Sequence, residues 1–166
     1  MTRIESFPPI VTEQSKVLIL GSMPGEASLR AGQYYAHPRN AFWRIMGELF
    51  GAGPSLPYWE RVARLNAVGI AVWDSLHACI RLGSLDSSIS AEVANDFPAF
   101  FAKYPRITHI YFNGSKAETV FHRRVLPALP NMPQAFTRLP STSPAHAAVP
   151  FDEKLQAWSV VRNGLS

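Results

Sequence analysis

Four short apolar runs, each ending in glycine or polar residues, constrain the fold of this chain most strongly. The runs lie at 16–22 (KVLILGS), 67–75 (AVGIAVWDS), 107–115 (ITHIYFNGS) and, more weakly, 135–143 (AFTRLPSTS). The first two are continuous and rich in Val, Ile and Leu, which is typical of strands buried on both faces. Helical patterns lie between or after the runs, at 40–51, 57–69, 97–104, 115–126 and 152–165. Strands that alternate with helices predict an α/β fold, a three-layer sandwich with a central, mostly parallel four-stranded sheet flanked by helices.

The composition indicates a globular protein and disfavours membrane-spanning, secreted and disulfide-bonded proteins. The 166 residues are 47% hydrophobic and 17% charged, so we expect a single domain spanning residues 1–166. The sequence has no apolar run of ~18 residues and no signal-peptide pattern, so we expect a cytoplasmic protein without a membrane partner. Cys79 is the only cysteine, which excludes an internal disulfide and a four-cysteine metal site. The net charge of +4 permits a polyanionic partner.

The polar residues that follow the strands are predicted to meet at one edge of the sheet. In open parallel sheets, ligands bind beyond the carboxyl ends of the strands. Those ends carry the loop Gly21–Gly25 (GSMPG), Asp74, Asn113 and the segment 141–144 (STSP). The unusual stretch at 34–43 (YYAHPRNAFW) follows the first loop and should lie over the same edge.

These motifs, in this order, resemble the uracil-DNA glycosylase superfamily. GSMPG resembles its G-x-[DN]-P-[GY] loop, YAHPRNAFW resembles the F-A-H-P-x-N-x-F-W run of mismatch-specific uracil glycosylases, and STSPAHA resembles its H-P-S-P-L-S loop. The HPRNAFW string is shared with the DNA-deoxyinosine (hypoxanthine) branch. The similarity covers Val17 through His146. The sequence differs from the superfamily motifs at three positions. Met23 replaces an Asp or Asn, Ser141 replaces a histidine, and Ala145 replaces the leucine that acts as a wedge in the DNA stack.

The resemblance implies a monofunctional DNA glycosylase of base-excision repair that removes a deaminated base, with hypoxanthine as the leading candidate. It implies DNA as the partner, no cofactor, no metal and a monomer. Uracil-DNA or mismatch-specific activity is one alternative, and a non-catalytic binder of damaged DNA is another. A small hydrolase that uses Ser22 or Ser75 with a histidine is a third.

The resemblance also implies roles for individual residues. Asn40 would orient the attacking water, Tyr35 would stack on the flipped base, and an ionised Asp74 would accept the ring N–H of hypoxanthine or uracil. The full set of candidates is Asn40, Ser22 and His37 for catalysis, Tyr35, Met23, Asp74 and Asn113 for base binding, and Gly25, Ser143, Pro144 and His146 for DNA binding.

Simpler interpretations of these residues remain open at the level of the sequence. Asn40 is also a good N-cap for the helix predicted at 40–51. Tyr35 is compatible with ordinary packing, although Tyr34 fits that role better. Asp74 could be a solvated strand end, and His37 could be a loop residue bonded to the backbone.

Overall fold

The computed structural model describes residues 3–132 and 134–166. The strands are β1 (Arg3–Glu5), β2 (Val17–Gly21), β3 (Ile70–Asp74), β4 (Leu76–Ile80), β5 (Ser90–Ala94), β6 (His109–Asn113) and β7 (Ala135–Leu139). The helices are α1 (Glu26–Ala31), α2 (Phe42–Phe50), α3 (Tyr58–Val68), α4 (Phe97–Lys103), α5 (Ser115–Val120), α6 (Phe151–Trp158) and α7 (Val161–Gly164). A π-helical turn, Phe121–Val125, extends α5.

The four predicted strands form one parallel sheet in the order β3-β2-β6-β7. Every residue of β2 and of β3 is buried, because both faces of this sheet are covered. The register pairs Gly21 with Asp74 and Asn113 with Leu139, so the polar strand ends fall at one edge. These observations confirm the predicted α/β class and its central parallel sheet.

Side chains that alternate along the strands enter two separate cores, which makes the fold a three-layer sandwich. On one face, Val17 and Ile19 pack in a cluster with Phe42 of α2, Leu65 of α3 and Trp158 of α6. On the other face, Leu18, Leu20, Ile110 and Phe112 pack with Phe97 and Phe100 of α4 and Phe121 of the π-turn. The two clusters follow from the period-2 alternation of a strand.

A second, antiparallel sheet was absent from the predictions. It has the order β1-β4-β5, and β4 and β5 are joined by a loop that contains a 3₁₀ turn at Asp86–Ser88. The burial pattern along β4 and β5 is irregular, and the register between them shifts twice. Neither strand therefore has the clean alternation that identifies a strand in a sequence.

Several element boundaries also differ from the predictions. The apolar run at 67–75 begins inside α3, which ends at Val68 and is followed by Gly69 in a left-handed conformation with φ of 91°. The predicted helix at 152–165 is divided into α6 and α7, and α1 was not predicted. In the part of the chain that is described, no helix is long and apolar enough to cross a membrane.

Candidate active site

A cavity of about 320 Å³ opens at the carboxyl edge of the parallel sheet. Its volume lies within the range of small-molecule pockets. The structure brings all eleven predicted site residues to this one cavity: Ser22, Met23, Gly25, Tyr35, His37, Asn40, Asp74, Asn113, Ser143, Pro144 and His146.

The floor of the cavity is formed where Gly21, Asp74 and Tyr35 meet. A Cβ atom at Gly21 would lie 2.5 Å from Asp74 Oδ1 and 2.9 Å from the Tyr35 hydroxyl. Only a glycine at the end of β2 leaves room for both groups. Within residues 3–132 and 134–166, the Tyr35 hydroxyl and Asp74 Oδ2 are buried and have no hydrogen-bond partner. Two polar groups are therefore available to a ligand that enters the cavity.

Asp74 is 3% exposed, and its environment changes its protonation state. Burial, followed by the nearby negative charge of Asp86, raises the pKa of Asp74 to about 7, while Arg81 opposes the shift. The resemblance implied that Asp74 is an ionised acceptor. Near neutral pH the carboxyl group is instead divided between its ionised and its neutral form, because a buried carboxylate loses its hydration. The neutral form both donates and accepts a hydrogen bond.

Tyr35 is held in a strained backbone conformation, with φ of 54°. One face of its ring stacks on Phe42, with a centroid distance of 4.1 Å and an interplanar angle of 25°. Burial and the neighbouring Asp74 raise the pKa of Tyr35 far above its ordinary value, so the hydroxyl stays neutral. Tyr34 fills the packing role that the sequence indicated: it is buried, and its hydroxyl donates to the Pro8 carbonyl at 2.9 Å.

Asn40 and His37 lie in the turn that leads into α2. Asn40 Oδ1 accepts a hydrogen bond from the Phe42 amide at 3.0 Å, but the N-cap residue of α2 is Ala41. The N-cap prediction is therefore wrong by one residue, although the Asn40 side chain does satisfy the first helical amide. His37 Nδ1 accepts from the Arg39 amide at 3.1 Å, which is the backbone contact that the simpler interpretation anticipated. Both side chains are thereby fixed at the cavity wall.

The loop between β4 and β5 contributes a wall that was not predicted from the sequence. Ser22 Oγ donates to Asp86 Oδ1 at 2.5 Å, and the Glu26 amide donates to Ser84 Oγ at 2.8 Å. Ser84, Leu85, Asp86 and Ser87 all line the cavity. Ser22 and Asp86 are 64 positions apart in the sequence, so no local pattern links them.

Two residues of the first loop have surroundings that bear on their predicted roles. Met23 is 7% exposed and packs with Leu76, Cys79 and Val120 while it also lines the cavity. Gly25 lies against the β4–β5 loop, since a Cβ atom there would be 3.3 Å from Ser84 Oγ. That close contact explains the glycine without a bound phosphate, and DNA binding by Gly25 stays a prediction.

Asn113 organises a further part of the cavity wall. Its Nδ2 donates to Thr142 Oγ1 and its Oδ1 accepts from the Thr142 amide, both at 2.9 Å. The Ala41 amide donates to the Thr142 carbonyl at 3.0 Å, which joins this wall to the start of α2. Ser143 Oγ accepts from the Ala145 amide and so caps the 3₁₀ turn Pro144–His146. Asn113 and Ser143 therefore hold the loop in place, and their contacts with base and phosphate stay predictions.

The geometry disfavours a serine hydrolase. Ser75 is fully buried, and its hydroxyl donates to the Ala117 carbonyl at 3.0 Å. Ser22 donates to a carboxylate, and within the described ranges neither serine hydrogen-bonds to a histidine. Nucleophilic serines require such a base. Nor do three potential metal ligands cluster anywhere in those ranges.

Comparison with known proteins places this geometry in a family. The family model of the uracil DNA glycosylase superfamily matches residues 8–162. A hypoxanthine DNA glycosylase from Methanosarcina barkeri is 39% identical over 114 residues, which is 68% of this chain and 72% of that protein. One from Methanosarcina acetivorans is also 39% identical, over 112 residues, covering 67% and 71%.

A solved structure agrees over the whole length. The solution NMR structure of a candidate uracil DNA glycosylase from M. acetivorans superposes with a TM-score of 0.83 at 32% identity, covering 99% of each chain. The motif resemblance, the sheet order, the family match and this superposition agree. The chain belongs to the uracil DNA glycosylase superfamily.

Proposed function

We propose that this chain is a monofunctional DNA glycosylase that removes hypoxanthine from deoxyinosine in DNA, acting as a single domain. The observation that carries the proposal is the convergence of Tyr35, Asn40 and Asp74 on one cavity. Each group supplies a different requirement of base excision: a surface for the flipped base, a site for water and a group that reads the base edge. The hypoxanthine activity named for the two Methanosarcina relatives supports the choice of substrate.

Base binding follows from the floor and one wall of the cavity. Phe42 supports one face of Tyr35, and the flipped base would stack on the other face. Hypoxanthine presents an N–H next to a carbonyl group. The neutral carboxyl group of Asp74 matches this edge, because its carbonyl oxygen accepts from N1–H while its O–H donates to O6.

Cleavage of the N-glycosidic bond does not require a strong nucleophile. A water oxygen attacks C1′ of the sugar while the bond from C1′ to N9 breaks, and the bonding electron pair leaves with the base. The water loses one proton and the base gains one, so the products are free hypoxanthine and an abasic sugar. Asn40 would orient the water, since its side chain is already fixed by the Phe42 amide. The O–H of Asp74 stabilises the negative charge that develops on O6.

The carboxyl group of Asp74 does not set selectivity alone. Its ionised form presents only acceptors and opposes the lone pair on N1 of adenine or N3 of cytosine, but its neutral form can donate to these atoms, so rejection of the two bases also requires the shape of the cavity. Uracil presents the same N–H and carbonyl pair as hypoxanthine. Discrimination between those two bases therefore depends on the fit to the cavity, and uracil excision is the second activity to measure.

The test is an excision assay on duplex and single-stranded oligonucleotides that contain deoxyinosine, deoxyuridine or deoxyxanthosine. Heat and alkali cleave the strand wherever an abasic site forms. We expect strand cleavage with deoxyinosine, and none with an undamaged strand of the same sequence. Tight binding to deoxyinosine DNA without any abasic product would instead identify a non-catalytic binder. No abasic site with any of the three bases would refute the proposed activity.

A further inference from the structure

The loop between β4 and β5 exposes two leucines next to the cavity. Leu82 is 70% exposed and Leu85 is 56% exposed, among neighbours that are otherwise small or polar. Leu85 also lines the cavity, whereas Leu82 does not. Leu85 combines a place in the lining of the cavity with a largely exposed surface, so it lies at the mouth of the cavity.

Several hydrogen bonds fix this loop against the loop Gly21–Gly25 and the start of α1. Asp86 and Ser84 bond to Ser22 and to the Glu26 amide, as described above. Arg81 is buried, and its guanidinium group donates to the carbonyl groups of Gly83 and Pro24. Leu85 thus projects from a segment that is bonded on both sides of it. Its position at the mouth is a property of the fold.

The turn that carries the wedge position of the superfamily motif has only a small residue there. The 3₁₀ turn Pro144–His146 carries Ala145 at the position where the superfamily motif has its wedge leucine. When a base leaves a duplex, proteins commonly insert an apolar side chain between the neighbouring bases, and leucine is one of the residues used. A methyl group is too short to fill such a gap.

We propose that Leu85 is the DNA wedge of this protein, supplied by the β4–β5 loop instead of by the turn that carries Ala145. The inference rests on the proposed function, because it requires the cavity to receive a flipped base. Entry of the base into the cavity brings the two adjacent base pairs to its mouth, where Leu85 lies. The exposed apolar surface of Leu85 then becomes buried between bases, which favours the flipped state.

Three variants and two substrates test the wedge. Leu85→Ala removes it, Leu85→Met keeps a long apolar side chain, and Leu82→Ala removes the same kind of side chain three positions earlier in the loop. Single-turnover excision is measured on deoxyinosine opposite deoxycytidine in a duplex and on the same strand alone. A single strand has no pairing to break, so it has much less need of a wedge.

We expect Leu85→Ala to slow duplex excision by about tenfold or more and to change single-strand excision by less than about threefold. Leu85→Met and Leu82→Ala should stay close to wild type on both substrates. A thermal melt of each variant checks that the fold is intact. Equal losses on both substrates, or equal losses in the Leu85→Ala and Leu82→Ala variants, would overturn the proposal.

A second readout does not depend on bond cleavage. The fluorescence of 2-aminopurine placed beside deoxyinosine rises when its stacking is disturbed. We expect wild-type protein and Leu85→Met to raise this fluorescence on duplex DNA and Leu85→Ala to raise it much less. If the wild-type protein disturbs the stack without excising any base, the wedge stands and the proposed activity fails. Identical fluorescence changes for wild type and Leu85→Ala would refute the wedge alone.

Discussion

The buried carboxyl group of Asp74 makes protein stability depend on pH in a direction that can be calculated. Its pKa is raised from 3.8 to about 7 in the folded protein. Between these values the folded chain keeps the proton and the unfolded chain has lost it. Stability therefore falls as pH rises through this window, since the folded state binds more protons. From about pH 5 to about pH 7, two pH units at ~1.4 kcal/mol each remove ~3 kcal/mol of unfolding free energy.

The variant Asp74→Asn removes this titration with little change in shape. Between about pH 5 and about pH 8, we expect the unfolding free energy of the wild type to fall by ~3 kcal/mol relative to that of Asp74→Asn. With a urea m-value of ~2 kcal/mol per M, the relative midpoint falls by about 1.5 M. Urea unfolding curves at the two pH values measure it. Asp152→Asn, at an exposed position of α6, is the control and should follow the wild type.

The same substitution reports on catalysis. If the neutral carboxyl group donates to O6, wild-type excision of hypoxanthine declines as pH rises through about 7. The side-chain amide introduced by Asp74→Asn supplies a donor at every pH, so the variant should remain active and lack this decline. If the unfolding free energy of Asp74→Asn varies with pH in the same way as that of the wild type, Asp74 does not titrate near neutral pH. An activity profile that keeps the decline would assign it to another group.

Substitutions at three further positions test the other proposed contacts. Asn40→Ala should slow single-turnover excision by about 100-fold with DNA binding retained. Asn40→Ser keeps an oxygen that can accept from the Phe42 amide and should be equally slow. Recovery of activity in the serine variant would show that Asn40 serves only to hold the start of α2. Tyr35→Ala should weaken the flipped state by ~1–3 kcal/mol, as measured by affinity for deoxyinosine DNA, and unchanged affinity would return Tyr35 to packing against Phe42. Asp86→Asn removes a negative charge that raises the pKa of Asp74, so the decline in activity should move to lower pH; a decline at the wild-type position would exclude this electrostatic link.

The position of the site was predictable because several of its residues directly follow strands with strong apolar patterns, whereas Tyr35, His37 and Asn40 were identified through the family resemblance. β2 and β3 are buried throughout, and their last residues, Gly21 and Asp74, are adjacent in the register. Once the strands are identified, parallel pairing brings their carboxyl ends together. The prediction of one cavity therefore needed no knowledge of side-chain contacts.

The β4–β5 loop could not be found in this way. The strands on either side of it have irregular burial. Its contacts, from Asp86 to Ser22 and from Ser84 to the Glu26 amide at the start of α1, join distant parts of the chain. The protonation of Asp74 was missed for the same reason. Its pKa depends first on burial and then on Asp86, and both are properties of the folded chain.

The contacts of Met23 explain how this cavity accommodates the loss of an acid at that motif position. Met23 packs against Leu76, Cys79 and Val120, so a carboxylate there would lie beside apolar side chains without compensating hydration. Asp74 already has a pKa of about 7 because of its burial and the charge of Asp86. An acid at position 23 would add a third negative charge beside Asp74 and Asp86 and would raise the pKa of Asp74 further. The apolar residue at position 23 therefore keeps the pKa of Asp74 close to neutral pH, and under the proposed function an uncharged amide, that of Asn40, would orient the water.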